Sequence, residues 1–258
     1  MALTVGSLFS GIGGLDLGLE QAGMKTVWQV EYDDWARGKL DENFPHTEKF
    51  KDVREVGKHN LRPVDLICGG FPCVDISVAK QGGQGLDGDG SGLWFEMFRV
   101  ICEIRPRYAL IENVARLAVF GLDRVLSDLA SIGFDAEWQT LRASTFGLPI
   151  QRKRLFIIAY PHCVGLEAVA FKRDSLKRIS KRLWERNIAL SIGGDEYCYP
   201  DISASVCLDD GLSSELSDVK AAIKGYGNAV CPPVAKWIGE RIIEFDERLK
   251  ISAAPGVG

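Results

Sequence analysis

Cys73 is the residue of this chain whose position points most clearly to chemistry. Residues 69–77 read Gly-Gly-Phe-Pro-Cys-Val-Asp-Ile-Ser and follow directly on the apolar run 64–68, which predicts a buried strand. Open α/β sheets bind their ligands at the carboxyl ends of strands, so a thiol on a proline-braced loop there is placed like a nucleophile. Because a free thiol is only a few per cent thiolate at neutral pH, Cys73 would need a helper group or a polarised substrate. The alternative is a small buried apolar residue, as most cysteines are.

Glu112 is the candidate partner acid. It closes another predicted strand, 108–111, in the sequence Ile-Glu-Asn-Val at 111–114. A carboxylic acid on a neighbouring strand end could protonate an electrophile while the thiolate adds to it. The alternative interpretation is an exposed acid at a strand end.

A basic triplet supplies candidate binding groups. Arg152 and Arg154 flank Lys153 directly before the predicted strand 155–160. Alternation along an extended chain sends both arginines to one side, and we expect them at the same sheet edge as Cys73 and Glu112. Guanidinium groups there suit a phosphate or the carbonyl of a base. A plain basic strand edge is the alternative.

A glycine-rich turn near the start of the chain predicts a ligand loop. Phe-Ser-Gly-Ile-Gly-Gly at 9–14 separates the predicted strand 3–9 from a helix that ends near Gly23, an order typical of nucleotide-binding α/β units. Glycines let a ligand approach the backbone, and the start of a helix favours carboxylate or phosphate. Glu31, at the end of the second predicted strand, stands where such folds bind ribose hydroxyls. From these residues alone NAD, FAD, S-adenosylmethionine and a plain tight turn all stay open.

The rest of the pattern alternates strands with helices, which predicts an α/β fold. Residues 81–92 hold too many glycines for regular structure and predict a mobile loop. Residues 161–224 are polar, charged and poorly periodic, and we interpret them as a small separate lobe. The predicted strands are 3–9, 25–30, one ending before Asp52, 64–68, 108–111, 135–142 and 155–160, and the predicted helices are the one ending near Gly23, 33–43, 93–104, 122–132 and 234–249.

Size and composition indicate one large α/β domain with a small insert. The chain has 258 residues, of which 46% are hydrophobic, enough for a sizeable core. No apolar stretch approaches the ~20 residues that cross a bilayer, and the first residues lack the features of a signal peptide. The seven cysteines are scattered without zinc-type spacing. We therefore expect reduced thiols, no metal site and a cytoplasmic protein.

The charge is unevenly distributed. A formal net charge of −4 argues against a protein that coats nucleic acid with its whole surface, yet residues 171–186 carry seven lysines and arginines against two acids. Lys177, Arg178, Lys181 and Arg182 form the centre of this basic strip. A local basic strip on an acidic body is compatible with binding a polyanion at one place. The alternative is a solvated helix face.

Five motifs, in order, resemble those of the cytosine-5 DNA methyltransferase family. Residues 8–16 resemble its cofactor loop, residues 70–77 its Pro-Cys nucleophile motif and residues 112–114 its Glu-Asn-Val motif. Gln-Arg-Lys-Arg at 151–154 resembles its basic motif, and Gly-Asn-Ala-Val at 227–230 the late motif that completes the cofactor pocket. The resemblance implies an α/β, Rossmann-like S-adenosylmethionine-dependent methyltransferase fold with a mixed, mostly parallel sheet flanked by helices. The catalytic domain would comprise 1–160 and 225–258, and 161–224 would be a reduced target-recognition lobe.

The resemblance also implies a mechanism. Cys73 would add to C6 of a cytosine flipped out of the DNA helix while Glu112 binds or protonates N3, so that C5 accepts a methyl group from S-adenosylmethionine. Arg154 and Arg152 would hold the base or its adduct, and loop 81–92 would close over it. The implied cofactor contacts are Phe9, Gly11, Gly13, Gly14, Glu31, Tyr32, Asp52, Val53, Pro72, Leu93 and Asn228.

The implied partner is double-stranded DNA, gripped at its phosphates by the basic strip. A monomer is expected, with a cognate restriction endonuclease as a second candidate partner. The chain departs from the family at Val74, where Gln is usual, and at Ile150, where Gln or His is common. The 64 residues between 160 and 225 are also far fewer than the family usually carries there.

Two alternative functions stay open. One is the tRNA-modifying branch of the same family, although the Cys-Phe-Thr signature of that branch is missing here. The other is a DNA-binding relative with weakened catalysis.

Overall fold

The computed structural model describes residues 1–72, 92–148, 150, 152–162, 225 and 229–253. Within them seven strands form one sheet in the order β3-β2-β1-β4-β5-β7-β6. Strands β1 to β5 pair in parallel, and β7 runs antiparallel to both β5 and β6. The strands are β1 (Thr4–Leu8), β2 (Lys25–Val30), β3 (Glu48–Phe50), β4 (Leu66–Gly69), β5 (Tyr108–Val114), β6 (Phe134–Arg142) and β7 (Lys153–Pro161).

Helices cover both faces of this sheet. Short 3₁₀ turns also occur at Val53–Glu55 and Ala143–Phe146. The helices are α1 (Gly14–Gln21), α2 (Asp34–Asn43), α3 (Gly92–Ile104), α4 (Leu117–Phe120), α5 (Leu122–Ser131) and α6 (Pro232–Ala253).

The sheet is buried on both faces because successive strand residues point to opposite sides. In β5, Ala109 and Ile111 join the core formed with α3 and α5, whereas Tyr108 and Leu110 join the core formed with α1 and α6. The same alternation assigns Glu112, two residues after Leu110, to the α6 side.

Small residues bring the C-terminal part of the chain against the first helix. A Cβ atom at Gly18 would lie 2.4 Å from both the Cβ of Ala235 and the carbonyl oxygen of Pro232. A Cβ at Gly14 would lie 2.3 Å from the carbonyl oxygen of Val230. Glycine at both positions therefore lets α1 and the start of α6 approach at backbone distance.

The predicted fold class is confirmed by this mixed, mostly parallel sheet and its flanking helices. Most boundaries differ from the expectation by one to four residues, and two of these differences affect the site. β5 continues to Val114, so Glu112 lies inside the strand, and β7 begins at Lys153, so Arg154 lies inside it too. The reason is pairing: Val114 of β5 lies opposite Arg154 of β7, and this adds rungs to the ladder at the ends of both strands.

The predicted lobe 161–224 lies outside the described residues, apart from 161 and 162, as does the predicted loop 81–92 apart from Gly92, which begins α3. The division into two domains stays a prediction. None of the helices in the described residues is both long and apolar enough to cross a membrane.

A buried carboxylate on α6 is bonded to the amino end of strand β5. Asp246 is 2% exposed, and it accepts a hydrogen bond from the hydroxyl of Tyr108 at 3.0 Å. Its other oxygen lies 2.7 Å from Nζ of Lys250, and Arg107 pairs with it as well. Burial opposes ionisation of Asp246, but these donors outweigh it and lower the pKa of the carboxyl below its usual value.

We predict that Asp246→Asn lowers the free energy of unfolding by about 2 kcal/mol at neutral pH, because hydrogen bonds to a charged group contribute roughly 1.5–3 kcal/mol. Since the pKa is lowered by folding, this contribution is present above the carboxyl's unfolded pKa and is lost as the pH falls. Urea unfolding at pH 7 and pH 3 measures it. Glu247→Gln, at the exposed next residue, is the control, and equal losses in the two variants would contradict the prediction.

Candidate active site

A cavity of about 1210 Å³ opens at the carboxyl ends of β1, β2, β4 and β5. Most residues that the sequence assigned to cofactor or chemistry line it. They are Phe9, Gly11, Gly14, Glu31, Tyr32, Asp52, Val53, Pro72, Leu93, Glu112 and Arg154.

The other assigned residues are placed differently. Gly13 and Arg152 lie in the described part of the chain but are not among the residues that line the cavity. Cys73 and Asn228 lie outside the described residues, as do the four residues of the basic strip, Lys177, Arg178, Lys181 and Arg182.

Backbone geometry and one carboxylate fix the loop after β1. Phe9 and Gly11 have φ angles of 54° and 56°, in the left-handed region that only glycine adopts without strain. Glu31 holds the loop, because Oε2 accepts the N–H of Gly11 at 2.7 Å and Oε1 accepts that of Asp33 at 2.8 Å. Each Glu31 oxygen keeps acceptor capacity for a further donor.

Gly13 serves packing. Its φ is 85°, and a Cβ there would lie 2.3 Å from the ring of Phe44. The left-handed conformation and this contact both require glycine, and they let the start of α1 pack against the residue that follows α2. The neighbouring glycines Gly11 and Gly14 line the cavity instead.

Sequence reasoning missed a buried polar network under this loop. Asp16 is fully buried and accepts hydrogen bonds from Ser7 at 3.1 Å and from Gln29 at 2.9 Å. Gln29 in turn accepts one from Thr47 at 2.7 Å, and Ser10 donates to Ser7 at 2.9 Å. Burial raises the pKa of Asp16 to about 6, although both donors lower it. The signal was an acid between Leu15 and Leu17 on a helix with an apolar face.

The end of the cavity near β3 is polar at its rim. Asp52 is held by Arg54, which donates Nε to Oδ1 at 2.9 Å and Nη2 to Oδ2 at 2.7 Å, and these bonds lower the pKa of Asp52. Tyr32 is 64% exposed, and the ammonium group of Lys51 lies 5.7 Å from its ring centre. At this end the cavity therefore presents the exposed ring of Tyr32 beside charged groups that are held by their partners. Arg54, Lys51 and Trp35 line it without having been predicted.

The segment that leads to Cys73 is tied to β5. Nδ2 of Asn113 donates to the carbonyl of Phe71 at 3.0 Å, and Oδ1 accepts the N–H of Val114 at 2.8 Å. A Cβ at Gly70 would lie 2.5 Å from Oε2 of Glu112. Residues 70–72 are therefore held against the acid, and only glycine fits at the closest point.

Glu112 is a buried acid facing a cation. It is 7% exposed, and its Oε1 lies 2.8 Å from Nε of Arg154. The N–H is not directed at that oxygen, so within the described residues Oε1 accepts no well-aligned hydrogen bond. Burial raises the pKa of Glu112 to about 7, which Arg154 and Arg152 lower only in part. An acid of this kind can hold or give up a proton at neutral pH.

Arg152 connects the site to the end of the chain. It donates Nη1 to the carbonyl of Ala229, the neighbour of Val230, and its charge still acts on Glu112. The described geometry thus joins Arg152, Arg154, the acid and the C-terminal segment in one cluster. No group of three metal-ligating side chains is found among the described residues.

Comparison with known proteins gives the cluster a context. A family model described as C-5 cytosine-specific DNA methylase matches residues 3–190. The type II methyltransferase M2.BsuMI of Bacillus subtilis is 38% identical over 165 residues, which cover 61% of this chain and 42% of that protein. The type II methyltransferase M.Bsp6I of Bacillus sp. is 35% identical over 167 residues, covering 61% and 52%. The chain spans about half the length of these curated relatives.

Solved structures share the fold. A DNA modification methyltransferase encoded within an E. coli prophage superposes with a TM-score of 0.66 at 20% identity and covers 95% of this chain and 100% of that one. A mutant of Spodoptera frugiperda DNMT2 gives a TM-score of 0.55 at 21% identity, with coverage of 67% and 53%.

We predict that Glu112 makes stability fall as the pH rises. Its pKa is about 7 in the folded protein against 4.5 for a free side chain, so the folded state binds the proton more tightly. The resulting stabilisation is full below about pH 4.5 and is lost by about pH 7. It amounts to roughly 3 kcal/mol, at 1.36 kcal/mol per pKa unit.

Urea unfolding of the wild type and of Glu112→Gln at pH 5 and pH 8 measures this contribution. Asp16 and all other groups titrate in both proteins, so their effects cancel in the difference between the two. The free energy of unfolding should fall more steeply in the wild type. Glu42→Gln, at an exposed position on α2, should keep the wild-type slope. Identical slopes for the wild type and Glu112→Gln would overturn the assignment.

Proposed function

Because the chain belongs to the C-5 cytosine-specific DNA methylase family, we propose that it transfers a methyl group from S-adenosylmethionine to C5 of cytosine in duplex DNA. The observation that carries the proposal is the buried acid at the cavity. Glu112 has a pKa of about 7, a cation beside it, and the segment leading to Cys73 packed against it.

The described residues fit a nucleoside-bearing cofactor. A Cβ at Gly11 would meet nothing within 4 Å, so the loop leaves its backbone open to a ligand. Glu31 offers carboxylate oxygens suited to ribose hydroxyls, and Tyr32 offers an exposed ring for a base. At about 1210 Å³, the cavity exceeds the roughly 300–1,000 Å³ of ordinary ligand pockets and has room for a cofactor and a flipped base.

In the proposed reaction the chain first raises the electron density of the base. The thiolate of Cys73 forms a bond to C6, and the ring electrons shift through C5 toward N3, where Glu112 supplies a hydrogen bond or a proton. Cysteine is the side chain suited to this addition, because its thiolate is intrinsically very nucleophilic. An acid with a pKa of about 7 suits the step, because general acids work best when their pKa lies near the working pH.

Methyl transfer and release follow. S-adenosylmethionine, when bound, supplies an electrophilic methyl group. The bond from the methyl carbon to sulfur would break as the bond to C5 forms. C5 would then carry both a methyl group and a hydrogen; a base removes that proton, its electron pair re-forms the C5–C6 double bond, Cys73 leaves as thiolate, and a proton given to N3 returns to Glu112. Arg154, fixed beside Glu112, would hold the base during these steps. Arg152 would anchor the Ala229 segment, and through it Asn228 at the cofactor.

The residues that would hold the DNA lie outside the described part of the chain. In this proposal 161–224 forms a small recognition lobe attached to a catalytic domain of 1–160 and 225–258, and the basic strip grips phosphates. Flipping the target base costs a few kcal/mol, which contacts to the strip and to the cavity would offset. The protein would act on DNA as a monomer, and a restriction endonuclease of the same sequence preference would be its functional counterpart.

We predict that the protein forms a covalent adduct with duplex DNA containing 5-fluorocytosine when S-adenosylmethionine is present. Fluorine at C5 blocks the final elimination and leaves the sulfur bonded to C6. The adduct should survive denaturing electrophoresis and give the combined mass. Cys73→Ser should give none while binding S-adenosylmethionine as the wild type does, and Cys102→Ser, on α3, should react normally.

Absence of an adduct in the wild type, together with tight DNA binding, would replace the enzyme with a DNA-binding relative. An adduct with a transfer RNA substrate and none with duplex DNA would move the protein to the tRNA-modifying branch. An adduct that persists in Cys73→Ser would remove this residue from the mechanism.

We predict that neutralising Lys177, Arg178 and Lys181 together to Gln weakens DNA binding and flattens its salt dependence. Each phosphate contact contributes about −0.9 to the slope of log K against log salt concentration, so three lost contacts should reduce its magnitude by about 2 to 3. Fluorescence anisotropy from 50 to 300 mM salt measures the slope. The matched control neutralises the exposed residues Lys25, Lys58 and Arg62, and similar slopes in both triple variants would return the strip to a solvated helix face.

A further inference from the structure

One guanidinium group joins two separate walls of the cavity. Arg99 lies on α3, and its side chain is 33% exposed. Its Nη2 donates to the carbonyl of Val53 at 2.9 Å and to that of Val56 at 3.0 Å. The same group donates Nε to Glu96 and Nη1 to Glu103, both at 2.8 Å.

Glu103 extends this arrangement to a third main-chain group. Its Oε2 accepts the N–H of Lys58 at 2.9 Å. A Cβ at Gly57 would lie 2.2 Å from that same oxygen and 3.2 Å from Nη1 of Arg99. Residues 53–58 are therefore bound to α3 through two carbonyls and one N–H, and glycine at 57 is required for the close approach.

Both elements joined by Arg99 line the cavity. Gly92, Leu93 and Glu96 contribute from the first turn and a half of α3, and residues 52–54 contribute from the segment after β3. These two walls come from distant parts of the chain and share no strand pairing. The Arg99 contacts, reinforced by the apolar packing of Val53 and Val56 with α3, set the distance between them.

We propose that Arg99 is a positioning residue that fixes the width of the cofactor end of the cavity. The inference rests on the proposed function, because residues 52, 53 and 93 are cofactor contacts only if the cavity binds S-adenosylmethionine. Arg99 does not line the cavity, and it acts on the cofactor through the main chain of the 53–58 segment and through Glu96.

Lysine cannot replace arginine in this role. The planar guanidinium offers five N–H donors in a fixed fork, whereas an ammonium is a point charge on a flexible stem. Two carbonyls and two carboxylates surround Arg99 in the described structure. A lysine there keeps the charge and loses the simultaneous grip on the carbonyls.

The test compares cofactor binding with turnover. Arg99→Lys should raise the dissociation constant for S-adenosylmethionine, measured by isothermal titration calorimetry, about tenfold, which corresponds to about 1.4 kcal/mol. The KM for S-adenosylmethionine should rise with it, whereas kcat at saturating cofactor and the KM for DNA should stay within about twofold. A purely structural loss would instead reduce the active fraction and kcat and leave the KM unchanged.

Gly57→Ala tests the same arrangement from the other side. The new methyl group displaces the end of the Glu103 side chain without demanding a new backbone conformation, so it should raise the same dissociation constant while the protein stays folded by circular dichroism. Arg124→Lys is the control, because Arg124 pairs with Asp128 one turn along α5, as Arg99 pairs with Glu103. It should bind the cofactor as the wild type does.

The outcomes separate the two hypotheses. A wild type that does not bind S-adenosylmethionine would overturn the proposed function. A wild type that binds it, with Arg99→Lys and Gly57→Ala binding equally well or losing only kcat, would overturn the positioning role and leave the proposed function intact.

Discussion

Strand β7 runs antiparallel to β5, and this reversal beside five parallel strands brings the basic residues to the acid. The first residues of β7 lie against the last residues of β5, so Arg154 is paired with Val114. Glu112 and Arg154 then lie on one face, diagonally related, within reach of long side chains. If β7 ran parallel to β5, its first residues would lie at the amino ends of the strands. At 3.3 Å per residue, that is about 20 Å from the carboxyl ends. Glu112 would then be a buried charge without a cation, which is costly.

The cavity needs both ends of the chain. Its floor comes from the loop after β1, and residues 229 and 230 close it from the far end. Two features hold this closure: the carbonyl oxygen of Val230 lies 2.3 Å from the position that a Cβ of Gly14 would take, and Arg152 binds the carbonyl of Ala229. Both depend on the packing of α6, which buries Trp237, Ile238 and Ile242 in the apolar core that α1 also joins. The apolar packing of the last helix thus has a direct consequence for the site, because it delivers main-chain groups to the cavity.

The sequence predicted the order of elements because the strands are apolar and bounded by glycine, proline or acids. It also placed Glu112 and Arg154 at strand ends, which is a local property, whereas their meeting depends on β7 running antiparallel to β5. It could not predict that the same strands continue through these residues, because that depends on pairing between β5 and β7. The network around Asp16 was equally hidden, since Ser7, Gln29 and Thr47 become its partners only in three dimensions. The assignment of Cys73 rests on sequence and family, because this residue lies outside the described part of the chain.

Buried carboxyl groups at the two ends of the strands have pKa values shifted in opposite directions. The direction of the shift distinguishes a charge that stabilises the fold from an acid that can exchange a proton. At the amino edge, donors from Tyr108, Lys250 and Arg107 surround Asp246 and lower its pKa, so its charge stabilises the fold. At the carboxyl edge, burial outweighs the donors around Glu112 and Asp16, and their pKa values rise to about 7 and about 6. Keeping these two groups ionised at neutral pH costs folding free energy. Complete pairing would hold such an acid in its charged form, whereas an acid that exchanges a proton near neutral pH must stay buried and incompletely bonded. The incomplete bonding of Glu112 Oε1 meets that requirement.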